Sequence, residues 1–139
     1  MRLRERHCAR AGRPLTDSRR ILGAAGERRA ADFLVAKGYR VLQRNARTQL
    51  GEIDIVARSP DGLLVFVEVR TRKGRRAALA AVESVDKRKQ VRLANLAIEY
   101  LAARELDESA RIDVIAIAVD SNGRINSIEH LENAVAGDA

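Results

Sequence analysis

Two apolar stretches, Gly51-Glu52-Ile53-Asp54-Ile55-Val56-Ala57 and Val65-Phe66-Val67-Glu68-Val69-Arg70, each carry carboxylates where a buried strand should carry none. A carboxylate in such a strand is costly unless it is paired, hydrogen-bonded or bound to a metal. Between them lies Ser59-Pro60-Asp61-Gly62, with proline at the first central position of a type I turn and glycine to follow it. A three-residue loop closed by a glycine bulge pairs Ser59 with Leu63. Counting outward, Val56 opposes Phe66, Asp54 opposes Glu68 and Glu52 opposes Arg70. Ile53, Ile55 and Ala57 fall on the other face, against Val69, Val67 and Val65. A slip of one residue would scramble both faces, so the pattern selects its own register.

Opposed residues have Cβ atoms roughly 5 Å apart. Two carboxylates at that spacing repel by about 3 kcal/mol at an effective dielectric near 20. Such a pair needs a shared proton or a cation, and an oxygen-rich site suits Mg²⁺ or Mn²⁺. Arg70 lies two residues beyond Glu68 and points to the same face. A divalent ion beside a guanidinium would receive a phosphate group. The alternative is an ion-pair cluster of arginines with Asp54 and Glu68 at a strand end.

Asp54 followed after thirteen residues by Glu68-Val69-Arg70 resembles the PD-(D/E)xK nuclease signature, with arginine in the lysine position. The wider pattern is more specific. Gly26-Glu27, Gly38-Tyr39, Asn45, Gly51-Glu52-Ile53-Asp54, Val65 to Arg70 and Arg111-Ile112-Asp113-Val114-Ile115 together resemble the YraN-like family of small bacterial proteins. The resemblance covers residues 23–131. It implies an α/β, restriction-endonuclease-like fold, a mixed β-sheet flanked by helices in the order α-β-β-β-α-β-β, similar to archaeal Holliday junction resolvases. It also implies Mg²⁺- or Mn²⁺-dependent hydrolysis of phosphodiester bonds in structured DNA, in repair, recombination or DNA processing. Asp54 and Glu68 would be metal ligands, the Val69 backbone carbonyl a third, and Glu27 the helix glutamate that joins the metal site. Glu52 would support the site or pair with Arg70; Asp113, paired with Arg111 or a helix, is not assigned to catalysis. Arginine cannot lose a proton in a protein, so Arg70 is expected to clamp phosphate rather than act as a base. That departure sustains a second reading: a non-catalytic nucleic-acid-binding or partner-binding protein on a degenerate nuclease scaffold.

Composition narrows the setting. The chain has 139 residues, one domain by length, with only 3% aromatic residues, so its core must be aliphatic. A single cysteine, Cys8, rules out a disulfide framework, and two histidines, His7 and His130, cannot build a histidine metal cluster. The longest apolar run is six residues, and no secretory segment is evident. The expectation is a cytoplasmic protein with no membrane partner; oligomeric state stays open, a homodimer among the options.

The net charge is +7, but residues 1–20 carry seven arginines against Glu5 and Asp17. The other 119 residues hold 19 basic and 17 acidic side chains, so in the folded part position matters more than sum. Arg70, Arg72, Lys73, Arg75 and Arg76 form a basic loop after the site, and Lys87-Arg88-Lys89 follows. These are candidates for nucleic-acid contact, led by Arg70, Arg72, Lys73, Arg75, Arg76 and Lys87; a solvated loop and helix face is the ordinary alternative. The division expected is a disordered arginine-rich leader at 1–20, a single domain at 21–132 and a frayed tail at 133–139. Within the domain the patterning predicts a helix firm over 24–37 and ended by Gly38, a strand at 39–43 and a polar connection at 44–50. After the hairpin come a helix at 85–104 and strands at 111–119 and 125–128.

Overall fold

The structure is a computed structural model that describes residues 14–83 and 86–135. Residues 1–13 of the arginine-rich leader and 136–139 of the tail lie outside the described residues. Helix α1 (Pro14–Ala36) leads into strand β1 (Arg40–Thr48), β2 (Gly51–Arg58) and β3 (Leu64–Lys73). Helices α2 (Arg75–Glu83) and α3 (Lys87–Ala103) cross over to β4 (Ala110–Val119), and β5 (Ile125–Leu131) closes the sheet. The strands lie side by side in chain order, β3 and β4 parallel and the other pairs antiparallel. This is the mixed α/β sheet flanked by helices that the resemblance implies.

Each element has a local cause. Gly38 at φ +96° stops α1. Asp86 caps α3, its carboxylate accepting the Lys89 N–H at 2.9 Å. In the β2–β3 turn the Gly62 N–H donates to the Ser59 carbonyl at 2.8 Å and the Ser59 N–H to the Leu63 carbonyl at 2.9 Å. The register is the one the turn predicts: Val56 opposes Phe66, Ile55 opposes Val67 and Ala57 opposes Val65.

The sheet separates two cores. On one face Ala30 and Leu34 of α1 pack on Ile55, Ala57, Val65, Val67, Ile115 and Ile117. On the other, Leu93, Leu96, Ala97 and Tyr100 of α3 pack on Ala46, Val56, Leu64 and Phe66. Burying aliphatic side chains on both faces makes β3 and β4 near-continuous apolar runs.

Several expectations need correction. The polar connection at 44–50 is instead strand as far as Thr48. It is an edge strand in which Ala46 is the one buried residue, so polar side chains suit it. The basic loop at 70–76 is not a loop: Arg70–Lys73 stay in β3, held by parallel pairing with Ala116–Val119, and Arg75 and Arg76 open α2 beyond Gly74. The single helix at 85–104 is α3, and the alanine-rich α2 precedes it. Ile53 leaves the face of Ile55 and packs in the α3 core. Strand β5 runs three residues past 128. At the start of the tail, Asn133 donates its N–H to Asp113 at 2.8 Å, Ala134 donates to the Ile112 carbonyl at 2.8 Å, and Val135 is buried.

Candidate acidic site at the parting of two strands

The β2–β3 ladder ends at Ile55 and Val67. One step further, where Asp54 and Glu68 would face each other, the backbones no longer pair. The Val69 N–H donates instead to the Asp54 carboxylate at 2.8 Å. A residue's N–H and C=O point to the same neighbouring strand in an antiparallel pair, so the Val69 carbonyl faces the same gap. A side chain has replaced the backbone ladder, and the opening holds the carboxylates.

Asn45 explains how β2 breaks phase here. Arg44 pairs with Ile55 and Ala46 with Ile53, so Asn45 stands opposite Asp54. Its φ is +52°, a left-handed conformation that asparagine tolerates better than most residues. Both strands change face at this step, since Ala46 and Ile53 enter the α3 core while Ile55 faces α1. The Asn45 amide donates to the Glu27 carboxylate at 2.9 Å and so holds it toward the sheet.

Glu27 reaches the site because its neighbour Gly26 lets α1 lie hard against β3. A Cβ on Gly26 would stand 2.1 Å from Thr71 Oγ1. Glu27, Asp54 and Glu68 are therefore brought together. Burial raises the Asp54 carboxyl first of all, and the Glu68 charge raises it further; the Val69 N–H opposes the shift. The Glu27 charge and a hydrogen bond to the Glu27 carboxyl add to it, and Asp54 is pushed up to about 7. Burial also raises Glu68, against the pull of Arg70 and Arg92; Glu27 again pushes up and Arg72 down. Among the described residues no three His, Cys, Asp or Glu side chains form a ready-made metal cage. A cation held here would take one or two carboxylates, the Val69 carbonyl and water, which is the habit of Mg²⁺. Two half-buried, mutually repelling carboxylates beside the Val69 carbonyl fit such an ion.

The positively charged candidates disperse. Arg70 is 8% exposed, and its Nε lies 3.5 Å from Glu68 Oε2. Arg72 and Lys73, with Glu27, Val69 and Thr71, line an open cleft of about 530 Å³ between α1 and β3. Arg75 is committed to Glu129 at 2.9 Å, Arg76 is exposed on α2, and Lys87 is exposed at the start of α3. Glu52 pairs with Arg47 at 3.5 Å across the β1–β2 ladder rather than facing Arg70. Arg92, close enough to lower Glu68, was not a candidate from sequence, nor was Asn45 assigned a role in the site. An asparagine opposite an aspartate within a polar strand is the signal that marks Asn45; for Arg92 only the fold brings the signal.

Asp113 lies away from this cleft in a network of its own. Fully buried, it accepts from Arg111 Nε at 2.8 Å, Arg111 Nη2 at 2.9 Å and the Asn133 N–H. The Lys37 ammonium donates to His130 Nδ1 at 2.6 Å, which leaves Nε2 to donate to Asp113 at 2.8 Å. Tyr39 Oη receives a third Arg111 bond, from Nη2, at 2.8 Å. Burial alone would raise the Asp113 carboxyl, but the bonds from His130, Arg111 and Asn133 outweigh it and hold the group below its ordinary value. This is a structural lock, consistent with leaving Asp113 out of catalysis.

Fold and site define an α/β protein with an acidic cluster at the open end of a strand pair. The chain belongs to the uncharacterised protein family UPF0102, whose pattern matches residues 26–117. This is the YraN-like family that the motifs indicate. A UPF0102 protein of Roseiflexus castenholzii is 51% identical over 123 residues, covering 87% of this chain and 98% of the relative. A second, of Pelotomaculum thermopropionicum, is 46% identical and covers 86% of this chain and 99% of the relative. Among solved structures, Pyrococcus furiosus SfsA in complex with Ca²⁺ overlaps 81% of this chain and 63% of its own, at 17% identity and a TM-score of 0.34, too weak a likeness to carry an argument. No helix among the described residues is long and apolar enough to cross a membrane.

Proposed function

We propose that this chain is a metal-dependent nuclease that hydrolyses phosphodiester bonds in structured DNA. The observation that carries the reading is the parting of β2 and β3, where half-buried Asp54 meets Glu68 and Glu27 and its carboxyl is pushed up to about 7. Perturbed carboxylates converging in a cleft are the mark of a working site more often than of a structural one. Asp54, Glu68 and the Val69 carbonyl would hold Mg²⁺ or Mn²⁺, with Glu27 at its edge; the ion would supply charge neutralisation and an activated water. Arg70 would hold the scissile phosphate and stabilise charge developing on it, because arginine cannot serve as the base. Arg72 and Lys73 would guide the backbone through the cleft between α1 and β3. No base-reading element is evident among the described residues, so recognition would rest on DNA shape.

A specific observation favours the second reading, a binding protein on a silent scaffold: the Arg70 guanidinium already lies beside Glu68. Cleavage assays decide between them. Single strands, duplexes, flaps and four-way junctions are incubated with Mg²⁺ or Mn²⁺, with Asp54→Ala alongside. Metal-dependent cleavage that Asp54→Ala abolishes supports the nuclease. Binding without cleavage on every substrate and with both metals supports the silent scaffold.

A further inference from the structure

We infer that the cleft between β3 and the first two turns of α3 is a subsite for the phosphodiester backbone, in which Arg70, Arg88, Lys89 and Arg92 hold the strand beside Glu68. The inference rests on the reading that this site handles nucleic acid, and it moves the main backbone contact away from the 72–76 segment that the sequence marks.

The cleft has a volume of about 370 Å³ and is lined by those four cations and Leu93. Arg70 comes from the strand and is nine-tenths buried; the other three come from the helix. The Glu68 carboxylate stands beside them, its Oε2 3.5 Å from Arg70 Nε. Arg88 and Arg92 are four residues apart on one helix face, so their like charges repel. The Asp86 carboxylate at the start of α3 is engaged with the Lys89 N–H. Four cations gathered along one cleft concentrate positive charge that a polyanion would relieve. Three guanidiniums suit phosphate in particular, because their planar forks match its oxygens. Arg92 is also packed near Gly51, with its Nη2 3.4 Å from where a Cβ would stand, so the β1–β2 turn limits its freedom. The 72–76 segment offers less: Arg75 is taken by Glu129, and Arg72 donates to the Thr71 carbonyl at 2.9 Å.

The test is fluorescence anisotropy on labelled DNA and RNA duplexes and four-way junctions, with an unrelated poly-glutamate peptide as the acidic alternative. Arg88→Gln/Arg92→Gln is compared with Arg40→Gln/Arg124→Gln, an equal loss of charge on exposed residues outside the cleft. Arg88→Gln/Lys89→Gln is a second cleft variant that keeps Arg92 in its packing. The cleft variants should bind nucleic acid about tenfold or more weakly, and the slope of log affinity against log salt should fall by about 2. The outer variant should keep the wild-type slope. DNA and RNA arms show which backbone is preferred. Equal slopes for cleft and outer variants would overturn the subsite while leaving cleavage, and hence the nuclease, intact. Loss of binding in the cleft variants of a protein that cleaves nothing would sustain the subsite and remove the nuclease. Poly-glutamate bound through the cleft in preference to either nucleic acid would overturn it.

Discussion

Replacing Asp54 by asparagine should stabilise the metal-free protein, and the size of the effect follows from the site. The carboxyl is raised from 3.8 to about 7, chiefly by burial and then by Glu68. Folding therefore favours the protonated form. The stability that this contributes is fully present below about pH 4 and is lost as pH rises through about 7. A rise from 3.8 to about 7 corresponds to about 4 kcal/mol as an upper figure. Glu68 and Glu27 share the repulsion, so part of the relief is theirs, and an increment of about 2 kcal/mol at pH 8 is the working expectation. Asparagine keeps an oxygen to accept the Val69 N–H, so the hydrogen bond that pins the two strands survives the change.

Urea unfolding in the presence of EDTA measures this, with midpoints compared at constant slope. At about pH 8 Asp54→Asn should be the more stable protein, and near pH 4 the difference should shrink toward zero, because both proteins then carry a neutral group. Adding Mn²⁺ should reverse the order at pH 8: at about a hundred times its dissociation constant an ion adds about 2.7 kcal/mol to the wild type. A variant that is less stable than wild type at pH 8, or a difference that does not change with pH, would refute the raised carboxyl. Equal stabilisation of both proteins by Mn²⁺ would place the ion elsewhere.

Other outcomes follow from single contacts. Gly26→Ala should cost about 1–3 kcal/mol through its collision with Thr71, less up to about 1 kcal/mol regained in helix propensity; adding Thr71→Ala should recover most of the loss, read by the same urea titrations. Asp113→Ala should destabilise by about 3–5 kcal/mol, since it leaves Arg111 without its buried partner, and a loss under 1 kcal/mol would deny the lock. In the nuclease reading Arg70→Ala should lower turnover roughly 10²-fold or more while Mn²⁺ still raises the melting temperature, and Arg70→Lys should retain activity; cleavage indifferent to Arg70→Ala would remove the clamp. Asn45→Ala should lower turnover by freeing Glu27, whereas Asn45→Gly, which accepts φ +52° but offers no amide, separates the hydrogen bond from the backbone conformation.

The hairpin was legible because its signals are local. Pro60 and Gly62 fix the turn, the turn fixes the count, and the count puts Val56 against Phe66 as observed. The strand at 44–48 was hidden because an edge strand with one buried residue has a polar pattern, the same as a loop. Arg70–Lys73 read as a loop because five cations in seven residues look solvated, yet parallel pairing with β4 holds them in register. That pairing joins segments some forty residues apart in sequence and leaves no local trace. Glu27 was reached only through family resemblance; the physical reason it arrives, the missing Cβ of Gly26 against Thr71, becomes visible only when helix and strand are placed together.

The site exists because of a competition that a backbone ladder would ordinarily win. Carried one step further, the ladder would bring Asp54 and Glu68 face to face at a cost of about 3 kcal/mol. The chain avoids this by letting Asp54 take the Val69 N–H that β2 would otherwise have claimed. Asn45 bends β1 so that both strands change face together. The carboxylates remain close enough to repel, and burial and that repulsion push Asp54 up to about 7. Such an arrangement is unfavourable for folding alone and suited to a cation. Arg70 partly offsets it from the α3 side, on Glu68, but at Asp54 burial, Glu68 and Glu27 all raise the carboxyl and the Val69 N–H is set against them. The imbalance between the two carboxylates gives the cleft its direction: a ligand that brings positive charge gains most at Asp54, and one that brings negative charge gains most among Arg70, Arg88 and Arg92. In the proposed nuclease a metal ion with a phosphate attached would carry both.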